Sequence, residues 1–147
     1  MPLRGRTTFF LVVLVLLLIV VGSVSYLGWR QSVPPPKVTS APPSMLGHKT
    51  TLPLKIEAAH GNVASYEVRV VQGGTQGVAA KQDGNLGPRV DAPTTLDVSS
   101  LKLREGPATL EVRTRDDFWR PLRLSERVVA SWPVTVDLTP PKIEVLS

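Results

Sequence analysis

Residues 9–27, FFLVVLVLLLIVVGSVSYL, form an apolar run, and no charged residue falls between Arg6 and Arg30. At about 1.5 Å per helical residue the uncharged stretch reaches roughly 34 Å, enough to cross a hydrocarbon core of about 30 Å. Every backbone N–H and C=O inside lipid must be paired, and a helix does this within one segment. The pattern therefore predicts a short stub and a single membrane-spanning helix within residues 1–30. Tyr26 and Trp29 would lie at the far headgroup level, where amphipathic rings are favoured. A cleaved secretory signal is the competing reading, because Ser23-Val24-Ser25 is a small-x-small triplet at the end of the run. The length of the apolar block favours a retained anchor. Arg4 and Arg6 precede it with no acid, so the N-terminus is expected to stay inside. Either reading puts the rest of the chain outside the cytoplasm.

Residues 31–50 are rich in proline, with Pro34-Pro35-Pro36 and Pro42-Pro43. Such stretches favour extended polyproline II, so a stiff linker is expected here. From Thr51 the period changes to two. Leu52, Leu54 and Ile56 alternate with Pro53, Lys55 and Glu57; Tyr66, Val68 and Val70 alternate with Glu67 and Arg69. Val78-Ala79-Ala80 suggests a short strand, and Leu96 with Val98 points inward from another. Leu110, Val112 and Thr114 alternate with charged neighbours. Val128, Ala130, Trp132, Val134 and Val136 would share one face of a last long strand. Turn residues such as His60-Gly61-Asn62 and Asp83-Gly84-Asn85 separate these runs. The fold class that follows is mainly β: an immunoglobulin-like antiparallel sandwich over residues 51–139, behind one helix and a linker. Residues 140–147, with Ile143 and Val145 alternating, read as the start of a further strand or of a truncated next domain.

Charge changes the picture little. The net +5 is carried by Arg4, Arg6, Arg30, Lys37 and Lys49, while the chain from Thr51 onward is balanced. The basic pI thus belongs to an anchor and its flanks. No basic stripe exists to displace counterions, so nucleic acid is not expected as a partner. The chain has no cysteine, which excludes a disulfide scaffold, a thiol nucleophile and a thiolate metal site.

Candidate chemistry is sparse. His48 and His60 lie in the linker and in a turn, without an H-x-H or HExxH pattern. Asp116 and Asp117 are neighbours on a strand, so they point to opposite faces and cannot share a substrate. A calcium site joining either to Asp137 would still need further oxygen ligands. Ser99-Ser100 has no base nearby in sequence. Residues 73–77, GGTQG, lack the Lys-Ser/Thr of a phosphate loop. No catalytic, metal or cofactor-binding residue is assigned. Phe118, Trp119 and Arg120 stand out as a candidate partner contact, since an aromatic pair beside an arginine can stack on a sugar or a partner chain.

Residues 103–120, LREGPATLEVRTRDDFWR, together with VTVDLTPPKIEVLS at 134–147, give the chain a family resemblance. It resembles the membrane-anchored, immunoglobulin-like N-terminal region of bacterial lysostaphin- or LytM-type peptidoglycan metallopeptidases. The resemblance extends more loosely through the anchor and linker. It implies a place in the bacterial cytoplasmic membrane, single-pass, with the C-terminal domain in the periplasm facing the cell wall. Those enzymes carry their zinc ligands in H-x-x-x-D and H-x-H elements, and neither occurs in this sequence. Where such regions often have Ser-Trp-Arg-Asn, this chain has Phe118-Trp119-Arg120-Pro121. The resemblance therefore implies a non-catalytic anchor and spacer, with the lipid bilayer and either peptidoglycan or envelope proteins as partners. A stand-alone adhesion or envelope-assembly module is the alternative.

Overall fold

A computed structural model describes residues 2–122 and 126–140. Two compact units emerge. One is the N-terminal helix with the loop from Trp119; the other comprises residues 34–118 and 126–140. The expected strand around Ile143 and Val145 lies outside the described residues.

The first unit contains α1, Pro2–Ser32. Over Arg4–Ser32 it is long and apolar enough to cross a membrane, and none of its apolar window is buried by the protein. Large aliphatic side chains point outward all round it, from Leu11 through Val21 and Val24. A helix that is apolar on every face has no polar side to give to water, which is the pattern of a segment solvated by lipid.

The second unit has eight strands: β1 Lys37–Val38, β2 Met45–Leu46, β3 Lys49–Glu57, β4 Val63–Gln72, β5 Thr75–Asp83, β6 Arg89–Asp97, β7 Gly106–Asp116 and β8 Glu126–Val136. They form a three-stranded sheet, β1-β3-β6, and a five-stranded sheet, β2-β8-β7-β4-β5. Every pairing is antiparallel except β2 with β8, which is parallel. One core draws on both sheets: Leu52, Leu54, Ile56 and Leu96 from the first, and Val68, Val70, Leu110, Val112, Val134 and Val136 from the second. This is the mainly β, immunoglobulin-like sandwich that the alternation predicts. Tyr66 ties the sheets together inside. Its buried hydroxyl donates to Gln82 Oε1 at 3.0 Å and lies 3.2 Å from Thr94 Oγ1 of β6.

The segment expected as a linker is partly built into this domain. Lys37 and Val38 pair with Glu57 and Ile56, and Met45 and Leu46 run beside Thr135 and Val136. The leading edge of the sandwich thus begins in one sheet and crosses to the other, with Pro42-Pro43 between. Proline gives up its ladder donor, so it suits the place where a strand leaves one sheet for the next. Leu46 is completely buried.

Two bulges shift faces that simple alternation misplaces. On β5, Ala79 is an extra residue: Val68 pairs with Ala80 and Arg69 with Val78. On β8, Val129 is extra: Val112 pairs with Ala130 and Arg113 with Val128. One inserted residue reverses the side-chain order beyond it. Val128 is therefore exposed, not on the face of Val134 and Val136. Trp132 stays in register with those valines but is only half-buried, packed at the margin of the core.

Candidate functional site

The run of Phe118, Trp119 and Arg120 divides between two settings. Phe118 belongs to the sandwich. Its ring lies 5.6 Å from that of His60, in the turn between β3 and β4. That turn is held by Asp117, whose carboxylate accepts from the Asn62 backbone N–H at 2.7 Å and from Asn62 Nδ2 at 3.1 Å. Gly61 makes the turn possible. Its φ is +72°, and a Cβ there would come within 2.2 Å of Asp117 Oδ1. The Asn62 backbone bond is the main reason that the Asp117 carboxyl sits below its ordinary value; partial desolvation opposes it, and the Asn62 side chain adds to it.

The sign of the resulting pH effect follows. A carboxyl with a depressed folded-state pKa adds stability that is present above its ordinary value of about 4 and lost as pH falls through the folded value. Asp97 works in the same direction, held down first by the Ser99 hydroxyl and then by the Ser99 backbone N–H. Both carboxylates are exposed, so solvent screening keeps each contribution small. Asp117→Asn is expected to lower the denaturation midpoint at pH 7 more than at pH 3. Equal losses at the two pH values would show that the charge of Asp117 contributes nothing.

Trp119 and Arg120 instead join the end of α1. Arg30 Nε donates to the Trp119 carbonyl at 3.0 Å, and Arg30 Nη1 donates to the Tyr26 hydroxyl at 2.8 Å. The guanidinium lies 5.7 Å from the Tyr26 ring centroid and 5.5 Å from that of Trp119. Both distances are within the range for cation–π attraction. Trp29 lies 6.1 Å from Tyr26, which extends the aromatic group. Arg120 is buried, and its Nε donates to the Val33 carbonyl at 3.0 Å. The Leu122 N–H donates to Gln31 Oε1 at 2.9 Å. These bonds tie the loop to the side chains of Arg30 and Gln31 in the last turn of α1 and to the carbonyl of Val33 just beyond it. The side chain of Trp119 remains 58% exposed and that of Leu122 87%.

The sequence singles out Trp119 and Arg120 but not their partners, Arg30 for Trp119 and the Val33 carbonyl for Arg120. One local signal was available: Tyr26 and Arg30 are four residues apart, which places them on one helix face. Nothing in the sequence links Arg30 to a loop 89 residues away.

The remaining candidates stay apart from any reactive arrangement. His48 and His60 are both exposed. Asp116 is buried at the end of β7, whereas Asp117 is exposed, as opposite strand faces require. Among the described residues, no three His, Cys, Asp or Glu side chains converge in a way that could hold a metal ion. A groove of about 600 Å³ in the sandwich is lined mainly by Pro34, Pro35, Pro36, Ala58, Ala59 and Val129. Its lining also includes Val128 and the cross-strand pair Lys37 and Glu57. No protein-family model, curated protein or solved structure matches this chain.

Proposed function

We propose that this protein is a non-catalytic anchor and spacer in a bacterial cytoplasmic membrane, crossing once and holding its sandwich toward the cell wall. The observation that carries the reading is α1, an apolar helix with no buried face that ends in Tyr26, Trp29 and Arg30. Arg4 and Arg6 before the apolar run support an N-terminus held inside. The balanced charge of the sandwich suits a structural module better than a binder of polyanions. The proline-rich stretch contributes β1 and β2 to the domain, so it is not a free proline arm. The resemblance to the N-terminal region of peptidoglycan metallopeptidases supplies the cell wall as the surface faced. No residue of this chain is assigned a step in hydrolysis.

The test is direct. Purified full-length chain, given zinc or treated with chelator, is incubated with peptidoglycan, and soluble fragments are measured. The expected release equals that of buffer alone in both conditions. Zinc-dependent release would sink the non-catalytic reading.

A further inference from the structure

We propose that the loop 119–122 is a second membrane contact, seated in the headgroup layer at the level where α1 ends. The inference rests on the membrane-spanning reading of α1. Its own basis is the way the loop is fixed to the helix end. Three bonds to residues 30, 31 and 33 hold the backbone of Trp119, the side chain of Arg120 and the backbone of Leu122 at one height. That height is where the uncharged run 7–29 stops. At about 1.5 Å per residue, Tyr26 and Gln31 differ by only about 7.5 Å along the axis, about the thickness of a headgroup layer.

The side chains on that level suit the layer. Tyr26, Trp29 and Trp119 are exposed aromatic residues with a polar atom on the ring, the types enriched where hydrocarbon meets water. Leu122 leaves a nearly bare aliphatic side chain, an arrangement that water disfavours and acyl chains do not. Arg30 lies between two rings, its apolar stem on the helix and its head at phosphate depth, as snorkelling cations do. A lipid surface, not a protein groove, is the occupant, because the patch is continuous with the helix surface that lipid must cover. The loop thereby adds an attachment point that the helix alone does not provide.

The absence of cysteine makes the test clean. Leu122→Cys and Val24→Cys variants of the full chain are labelled with the fluorophore NBD. They are reconstituted into vesicles of phosphatidylethanolamine and phosphatidylglycerol, with or without a lipid carrying a nitroxide at the top of its acyl chain. Both positions are exposed, so labelling disturbs no packed contact. The expected result is that both probes lose most of their emission to the nitroxide lipid. Loss at residue 24 with none at residue 122 would overturn the loop contact and leave the spanning helix intact. No loss at residue 24 would overturn both. Adding Trp119→Ala to the Leu122→Cys variant is expected to weaken quenching at residue 122 while leaving that at residue 24 unchanged in its own variant. Equal quenching at residue 122 with and without Trp119 would contradict the role given to that ring.

Discussion

Leu46→Ala is expected to cost the sandwich about 2–5 kcal/mol, the range for deleting a fully buried leucine side chain. The residue sits in the stretch that sequence reading assigns to a linker, yet it has no exposed surface and lies against the core. It runs parallel to Val136, and the Asp137 backbone N–H donates to its carbonyl at 3.0 Å. Truncation removes three heavy atoms from a packed interior, and neighbouring strands can close only part of the gap. In a free spacer the same change would fall within about 0.5 kcal/mol of zero. Urea unfolding of the detergent-solubilised chain, followed by the strand signal in circular dichroism, distinguishes the two. With a slope of about 1–3 kcal/mol/M, the midpoint should fall by about 1 M or more. An unchanged midpoint would remove β2 from the folded domain.

Deleting residues 9–27 is expected to move the protein wholly from the membrane fraction to the soluble fraction. The argument is one of solvation. Among the described residues, the deleted stretch carries most of the large apolar side chains that the protein leaves uncovered, from Phe9 to Leu27. What remains is mainly the sandwich, which keeps most of its aliphatic residues inside and exposes Val78 and Val128. The loop 119–122 offers only Trp119 and Leu122 to a bilayer, and a small apolar contact of that kind gives marginal, reversible binding. Full-length protein should resist alkaline carbonate extraction and retain the mass of the uncleaved chain. A product shortened by about 25 residues, with the remainder soluble, would establish the cleaved-signal reading.

The legibility of this chain in its sequence follows the range of the forces involved. Strands β3, β4 and β7 are evident because each buries one face, so Leu52-Leu54-Ile56, Val68-Val70 and Leu110-Val112 alternate with charge. The helix α1 is evident because its apolar run is uninterrupted over a length that could cross a bilayer. The two-residue strands β1 and β2 are hidden, since their membership depends on pairing with distant partners and their neighbours are prolines. The bulges at Ala79 and Val129 are equally silent, because an extra residue in a strand leaves no mark of its own in a hydrophobic pattern. Trp119 is visible as an exposed aromatic in a loop, but its setting is decided by Arg30, far away in the chain.

The central claim is a single crossing with the sandwich outside. It is tested most directly by single-cysteine variants of this cysteine-free chain, Thr8→Cys before the apolar run and Ser100→Cys in the turn after β6, expressed in bacteria. Both side chains are exposed in the structure. Intact spheroplasts are treated with a membrane-impermeant maleimide, and lysed ones serve as the reference. The account predicts that Cys-substituted position 100 is labelled before lysis and position 8 only after it. Labelling of position 8 in intact spheroplasts, with position 100 protected, would contradict it.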